Sequence, residues 1–391
     1  MSTSVRFLHT ADWQLGKPFG TVTDEARRRD LQRERIEVIG RIGAFVREAK
    51  ACFVVVSGDL FDSVTPNPST IAECCGQVGQ IPVPVYVIGG NHDHAGAGSF
   101  WEQSHFIRVR EKLAPNLHLL RDRCPMELED AVLFPCSLLR RHESMDTTLW
   151  LRNGVPEVKS DKPRIIIAHG SIQGFGNFSD DEEAAHETPN FIDLERLPMD
   201  EFDYVALGDW HGTLQVGPKA WYSGTPESDR FKRGADHDPG NVLLVEAGRG
   251  RMPSVQKHRT GLVGWHELKW EFASDEGLNL LQERIDNLIG QRVGKDLLRL
   301  SMKGALTFAK MAKLDHFIAD CTARLIRLRL ENDTQIAPSQ EELESLGLRN
   351  SDPLVATVAR QLIEESKGTG RAAIVALNAL RELHIALNTT H

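Results

Sequence analysis

The chain has 391 residues, with 46 lysines and arginines against 55 aspartates and glutamates, which gives a formal net charge of -9 at pH 7. Hydrophobic residues make up 41% and charged residues 26%, values near globular averages that exclude a disordered or fibrous chain. The acidic balance argues against a surface that holds nucleic acid by charge alone, and no apolar segment approaches the length that spans a membrane. We therefore expect a soluble, cytoplasmic protein of two or three domains, with no membrane contact.

Short apolar runs of strand length recur along the first two thirds of the chain. The first, at residues 5–8, precedes a helical pattern at 24–50, in which Leu31, Ile39 and Ile42 share one face. Further strands are predicted at 53–56, 83–88, 131–134, 165–168, 204–207 and 242–245. Because the early strands alternate with helical patterns, the sequence predicts a layered α/β domain.

The pattern changes after about residue 261. Strands are predicted at 265–272, 297–302 and 324–330, with helices at 276–289 and 309–325, which together indicate a small α+β module. A polar segment at 332–339 that contains Pro338 suits a linker, and residues 340–387 predict two or three helices. We therefore predict domains at 1–261, 262–332 and 333–391.

Five motifs in the first domain each follow an apolar run and end in Asp, Asn or His. They are VRFLHTADWQ, SGDLFD, GGNHDH, IIIAHG and ALGDWHG. The carboxyl ends of parallel strands present side chains at one edge of a sheet. Hydrolysis of a phosphodiester at such an edge gains most from two divalent cations.

The residue types in these motifs suit a pair of metal ions. Asp59 is the best candidate for a bridging ligand because a carboxylate has two oxygens to share. Asp12 is a natural terminal ligand, and Asn91 offers a neutral carbonyl oxygen. His169 and His211 supply imidazole nitrogens. Each of these residues alone could simply close a turn, but the five together favour a two-metal phosphoesterase.

The motifs resemble, in order and spacing, the signature segments of calcineurin-like metallophosphoesterases, and more narrowly those of the Mre11/SbcD branch of DNA nucleases. The resemblance covers about residues 5–260. It includes the segment YSGTPESDRF, which favours that branch together with the small α+β module behind it. It implies a layered sandwich of two sheets flanked by helices, a small α+β capping domain and a helical carboxyl-terminal tail.

The resemblance also implies a role for each site residue. One metal would take Asp12, Gln14, Asp59 and His211, and the other would take Asp59, Asn91, His169 and Asp209. His92 would face the scissile phosphate and protonate the leaving oxygen or stabilise the transition state. Asp93 would orient the His92 ring.

Gln14 and Asp209 depart from the family pattern, which commonly has histidine at both positions. Each change replaces a nitrogen ligand by an oxygen ligand, so the site should prefer Mn²⁺, with Mg²⁺ as the alternative, over Zn²⁺. Gln14 could be a weak ligand, a hydrogen-bond donor behind the ligands or a bystander, whereas Asp209 could coordinate where an imidazole would. A degenerate site that binds metal but hardly turns over stays open.

A polynucleotide substrate needs contacts beyond the metals. A basic group, Arg230, Lys232 and Arg233, follows the YSGTP segment and is the best candidate for binding nucleic acid. Trp13 and Trp210, beside ligand positions, could stack on a base or pack their loops. The resemblance further implies an SbcC/Rad50-like ATPase partner, on which the carboxyl-terminal helices could dock, although they could equally pack on their own domain.

The sequence thus predicts an Mn²⁺-dependent DNA nuclease of Mre11/SbcD type, a DNA repair hydrolase that cleaves phosphodiester bonds by a two-metal mechanism. One alternative is a metallophosphoesterase that acts on a small nucleotide or another phosphodiester. A second is a weakly active scaffold subunit. Exonuclease against endonuclease preference, polarity, a homodimer and the identity of the ATPase are all left open.

Overall fold

The computed structural model describes residues 4–152, 154–172, 190–232, 234, 237–348 and 352–388. The chain divides into two compact units, Met1–Val263 and Gly264–His391. Among the described residues, none of the helices combines the length and the apolar composition that crossing a bilayer requires.

The first unit contains two mixed sheets, each with six strands in the described part of the chain. The first sheet has the strand order β12 (Ser254–Arg259), β11 (Asn241–Gly248), β1 (Ser4–Thr10), β2 (Val54–Val56), β3 (Val85–Val87) and β4 (Leu117–Leu119). The second has the order β5 (Met126–Glu127), β6 (Val132–Cys136), β7 (Arg164–His169), β8 (Tyr204–Gly208), β10 (Ala220–Tyr222) and β9 (Leu214–Gln215). Strands β1 to β4 are parallel to one another, as are β6, β7 and β8.

Helices cover the outer face of the first sheet. They are α1 (Glu25–Ala49), α2 (Pro68–Val78) and α3 (Ser104–Leu113), and a short α4 (Leu149–Arg152) accompanies the second sheet. Helix α1 begins where the Asp24 carboxylate accepts a hydrogen bond from the Arg27 amide, and it ends at Lys50 in a left-handed conformation. Its apolar stripe includes Leu31, Ile39 and Ile42, as predicted.

Alternation along the strands separates the layers. In β2, Val54 and Val56 pack against the helices, whereas Val55 packs between the two sheets. Side chains of β1 and of β7, such as Phe7 and Ile167, meet in that central layer. The predicted sandwich of two sheets flanked by helices is confirmed.

The second unit begins with three parallel strands, β13 (Gly264–Phe272), β14 (Asp296–Leu306) and β15 (Arg327–Ile336), in that order. Helices α5 (Gly277–Ile289) and α6 (Phe308–Arg324) connect them. Three helices follow: α7 (Gln340–Gly347), α8 (Pro353–Ser366) and α9 (Arg371–Asn388). Leu346, Ala359 and Leu380 of these helices bury themselves against Phe308 of α6. The unit therefore includes both the α+β module and the carboxyl-terminal helices, for which the sequence analysis predicted two domains with a boundary at residue 332.

One element of this unit differs from the prediction. The linker expected at 332–339 begins later, because β15 continues to Ile336 and pairs with β14 as far as Leu306. The side chains of this edge strand are mostly exposed and polar. Its composition therefore resembles that of a linker although its backbone is paired.

Candidate metal centre

Three predicted ligands from three strands lie together at one edge of the sandwich. Asp12 follows β1, Asp59 follows β2 and His169 ends β7. One ligand atom of each lies within 4.8 Å of the others, and all three side chains are buried. Two carboxylates and an imidazole form a donor set that fits Mn²⁺ or a similar divalent cation.

Both ring nitrogens of His169 have hydrogen-bond partners. Its Nδ1 donates to the Ser57 carbonyl oxygen at 2.8 Å, which sets the ring orientation. Its Nε2 lies 2.9 Å from Asn91 Oδ1, 3.7 Å from Asp59 Oδ1 and 3.8 Å from Asp209 Oδ1. The four residues predicted for one metal are thus grouped around a single nitrogen.

Asp209 is also tied to Asp12. The Asp209 backbone amide lies 3.1 Å and 3.2 Å from the two carboxylate oxygens of Asp12 and donates to them. The Asp209 side chain accepts a hydrogen bond from Ser171 Oγ at 2.9 Å. A carboxylate at this position therefore reaches the same centre as the other ligands.

The backbone is strained at the predicted ligands. Seven non-glycine residues of the described chain have a positive φ, and four of them are Asp12, Gln14, Asp59 and Asp209. Such conformations cost about 1 to 3 kcal/mol each and persist where the surrounding structure enforces them. This concentration of strain indicates a functional site rather than a stabilising one.

Two glycines let the ligand loops approach one another closely. Gly58 has a φ of +88°, and a Cβ there would lie 2.4 Å from His169 Nδ1. A Cβ on Gly90 would lie 2.1 Å from Asp59 Oδ1. A larger side chain at either position would displace a ligand.

Burial and the neighbouring charges shift the pKa values of the candidate ligands. Burial raises the pKa of Asp12 well above its usual value, and the carboxylates of Asp59 and Asp209 raise it further against the opposing effect of His169. For His169, burial would lower the pKa, but Asp59, Asp12 and Asp209 outweigh it and raise the pKa to about 9. A bound dication would relieve this crowding by replacing protons.

His211 is positioned by a carboxylate that the sequence analysis did not identify. Its Nδ1 donates to Asp229 Oδ2 at 3.0 Å. Burial, together with Arg230 and Lys17, lowers the pKa of His211 to about 4 against the attraction of Asp229. A neutral ring with Nδ1 protonated keeps the Nε2 lone pair for a metal. The sequence could have indicated Asp229, because it lies in the motif YSGTPESDRF.

Gln14 is buried, and its carbonyl oxygen already has a partner. Lys17 Nζ donates to Gln14 Oε1 at 2.7 Å. The same ammonium lies 3.2 Å from Asp229 Oδ2 and 3.6 Å from Asp62 Oδ1. Ligation of a metal by Gln14 stays a prediction, and Lys17 is a neighbour that the motif comparison did not single out.

His92, predicted to act at the leaving oxygen, and Asp93, predicted to orient its ring, have different hydrogen-bond partners. His92 is partly exposed, and its Nδ1 lies 3.1 Å from the Asp62 carbonyl oxygen. Asp93 is fully buried and accepts hydrogen bonds from the amides of Gly90, Asp59 and Phe61. Both Asp93 oxygens anchor the backbone of the Asp59 loop, and the orientation of the His92 ring by Asp93 stays a prediction.

Arg35 connects the first motif to the last segment of the site, and sequence reasoning missed it. This nearly fully buried side chain donates to the carbonyl oxygens of Asp12, Trp13 and Glu227 and to Thr225 Oγ1. The sequence could have revealed it, because Arg35 lies on the same face of α1 as the buried apolar residues Leu31 and Ile39. A charged residue on that stripe indicates a buried partner.

The residues proposed to contact nucleic acid are only partly described. Arg230 Nη2 lies 3.2 Å from Asp229 Oδ2, and Lys232 is exposed, whereas Arg233 lies outside the described residues. Trp13 is buried in the core, and its Nε1 donates to Thr10 Oγ1, so it packs its loop rather than offering a face to a base.

The chain was compared with solved structures and with models of protein families. A solved crystal structure is similar over 66% of this chain and 100% of its own length, at 14% sequence identity and a TM-score of 0.38, a level without functional implication. The family model of the calcineurin-like phosphoesterases matches residues 5–213, which is more than half of the chain and contains every predicted metal ligand. The candidate metal-binding cluster of Asp12, Asp59 and His169 lies within that match. The chain therefore belongs to the calcineurin-like phosphoesterase family, whose members are metal-dependent hydrolases.

Proposed function

We propose that this protein is a DNA nuclease of Mre11/SbcD type that hydrolyses phosphodiester bonds with Mn²⁺. The observation that carries the hydrolytic part is the convergence of Asp12, Asp59 and His169 at one edge of the sandwich. The nuclease part is supported by the segment YSGTPESDRF after β10, which in the sequence favours the nuclease branch.

The donor set suits two cations of the Mn²⁺ or Mg²⁺ type. The set for one position is Asp59, Asn91, His169 and Asp209, and the set for the other is Asp12, Gln14, Asp59 and His211. Ions bound there would polarise the phosphoryl oxygens and supply a nucleophile at neutral pH. The protein's own task is to hold these side chains rigidly, which the buried hydrogen bonds of His169 and Asp93 do.

His92 is the candidate for moving a proton to the leaving oxygen. Its Nδ1 lies within hydrogen-bond distance of the Asp62 carbonyl, and its Nε2 lies 4.0 Å from Asp59 Oδ2 at the centre. Because the carbonyl accepts from Nδ1–H, the imidazolium form of the ring is the one that carries a proton on Nε2 for a phosphodiester bound beside Asp59. We expect His92→Asn to slow cleavage while metal binding is retained.

A nuclease assay tests the proposal. Labelled linear single-stranded and double-stranded DNA would be incubated with Mn²⁺, Mg²⁺ or Zn²⁺, and we expect cleavage with Mn²⁺ to be fastest. Asp59→Asn should abolish it, whereas Glu246→Gln, on the exposed face of β11, should not. Cleavage that persists unchanged in Asp59→Asn would overturn the mechanism.

A smaller substrate is the second candidate. The observation in its favour is the ion pair of Arg230 with Asp229, which engages one predicted DNA-binding cation with a residue beside the centre. Turnover of bis-p-nitrophenyl phosphate without any cleavage of DNA would favour this alternative.

We also propose an SbcC/Rad50-like ATPase as the partner. Leu354 and Val358 of α8 and Ile374 and Val375 of α9 are exposed, whereas other apolar residues of these helices are buried. An exposed apolar helical surface suits the docking of a helix. Co-expression with such an ATPase from the same organism should give a complex that Val358→Asp weakens, and a complex unaffected by that change would contradict docking at α8.

A further inference from the structure

We propose that Lys17 makes the two metal positions unequal: its ammonium group acts as a resident cation beside Gln14 and His211 and weakens divalent-metal binding there. The inference rests on the proposed function in taking the centre to be a metal site. It concerns which position fills first and which residue decides that.

The contacts of Lys17 place its charge at that position. Its Nζ lies 2.7 Å from Gln14 Oε1, 3.2 Å from Asp229 Oδ2 and 3.6 Å from Asp62 Oδ1. The Lys17 side chain is only 19% exposed, so the ammonium is held among these oxygens and not extended into solvent. Solvent screening of the charge is correspondingly reduced.

A divalent cation bound through Gln14 would have to share an oxygen with that ammonium. Metal–oxygen bonds of Mn²⁺ or Mg²⁺ are roughly 2.1 Å long. With Nζ at 2.7 Å from the same oxygen, the two cations would lie within about 5 Å of each other. At that separation, in a largely buried site, their repulsion opposes binding.

The other position carries no such cation among its described contacts. His169 Nε2 is surrounded by Asn91, Asp59 and Asp209, two of which are carboxylates. On the Gln14 side, the ligands that are not shared are the Asp12 carboxylate, the Gln14 amide and the His211 imidazole. Each position therefore has one carboxylate of its own besides the shared Asp59, and the Lys17 ammonium is the charge that distinguishes the two. The carboxylate behind them, Asp229, already pairs with Lys17 and Arg230.

The charge asymmetry predicts sequential filling. The position at His169 should bind its cation first, and the position at Gln14 should bind its cation only at higher metal concentration. Lys17 thus takes over part of the charge neutralisation that a second dication would provide. This role of Lys17 would explain why position 14 has glutamine instead of histidine. An amide oxygen can accept a hydrogen bond from an ammonium group, whereas a metal-bound imidazole nitrogen cannot.

Metal titration of the full chain tests the inference. The metal-free wild type, Lys17→Met and Lys17→Arg would be titrated with Mn²⁺ by isothermal calorimetry, with free Mn²⁺ followed by electron paramagnetic resonance. We expect one tight equivalent in the wild type and a second at least tenfold weaker. Lys17→Met should strengthen the second site at least tenfold, and Lys17→Arg, which keeps the charge, should retain the wild-type difference.

A second variant covers the case in which Lys17→Met fails to fold. Gln14→Glu adds a carboxylate next to the ammonium and should also raise affinity at the weaker site. Two equally tight equivalents in the wild type, or a second site unchanged in both Lys17→Met and Gln14→Glu, would overturn the role of Lys17 and leave the nuclease proposal standing. Failure of the wild type to bind any Mn²⁺ would overturn both.

Discussion

His211 Nδ1 donates a hydrogen bond to Asp229 Oδ2 at 3.0 Å, and this bond joins the last ligand motif to a residue 18 positions further along the chain. Asp229 also forms ion pairs with Lys17 and Arg230. Although burial favours its neutral form, His211 and these two cations hold the pKa of Asp229 well below its usual range. An ionised carboxylate at this point fixes the His211 tautomer.

Removal of that carboxylate should weaken one metal position selectively. Asp229→Asn frees the His211 ring and leaves Lys17 and Arg230 without their counter-ion. Loss of a residue that supports a ligand costs roughly 10-fold to 100-fold in metal affinity. We expect that loss at the weaker Mn²⁺ site, measured by calorimetry, with the tighter site changed much less. Asp238→Asn, a partly exposed residue of the same unit, is the control, and equal losses in both variants would contradict the prediction.

Arg35 should stabilise the fold as well as the site. Arg35→Met leaves the carbonyl oxygens of Asp12 and Trp13 without their donor, whereas the Glu227 carbonyl oxygen keeps Thr225 Oγ1. Each buried acceptor without a partner costs about 1 to 3 kcal/mol, so we expect a loss of roughly 3 to 5 kcal/mol in the free energy of unfolding. Urea denaturation would measure it. Arg33→Met on the same helix changes an exposed side chain and should stay within about 0.5 kcal/mol.

Gly90 should tolerate no side chain. The Cβ of Gly90→Ala would lie 2.1 Å from Asp59 Oδ1, so the carboxylate or the loop must move. We expect Mn²⁺ affinity to fall at least tenfold and stability to fall by about 1 to 3 kcal/mol. Gly76→Ala in helix α2 is the matched control, since its Cβ meets nothing within 4 Å and should stabilise the helix by about 0.5 to 1 kcal/mol. Normal Mn²⁺ binding by Gly90→Ala would show that the loops are less tightly packed than this geometry indicates.

The metal-free protein should lose stability as the pH rises from 6.5 to 9. The pKa of His169 is raised to about 9, so in this range the folded protein holds a proton that the unfolded chain has released. The free energy of unfolding therefore falls with rising pH. Asp93, with its pKa raised from 3.8 to about 7, contributes a fall at lower pH that is complete near neutrality. The lowered pKa values of His211 and His9 affect stability below pH 6.5 instead.

Mn²⁺ should reverse this dependence. Because binding displaces the His169 proton, Mn²⁺ affinity and the gain in melting temperature should both increase between pH 7 and 9. Thermal unfolding with and without Mn²⁺ across this range would measure the effect. His169→Gln should remove most of this pH dependence. An equally steep dependence in that variant would show that groups other than His169 release the protons that Mn²⁺ displaces.

Much of the fold could be read from local patterns. The strands around Val55 and Ile167 and the helix around Ile39 were evident from apolar runs and periodicity, because burial of one face is a local property of the chain. The polar end of β15 was misread as linker, since an edge strand needs backbone pairing and not apolar side chains.

The candidate ligands Asp12, Asp59 and His169 were identifiable by sequence, because each directly follows or ends a predicted strand in a motif of recognisable order. Only the tertiary structure showed which residues contact the ligands and their neighbours. Lys17 donates to Gln14, Asp229 accepts from His211, and Asp93 accepts from the backbone of the Asp59 loop. Two of these contacts join residues 18 and 34 positions apart, and the Asp12–Asp209 bond spans 197. Such pairings depend on how loops from two sheets converge, and residue types along a chain do not specify which loop will supply a charge to which ligand.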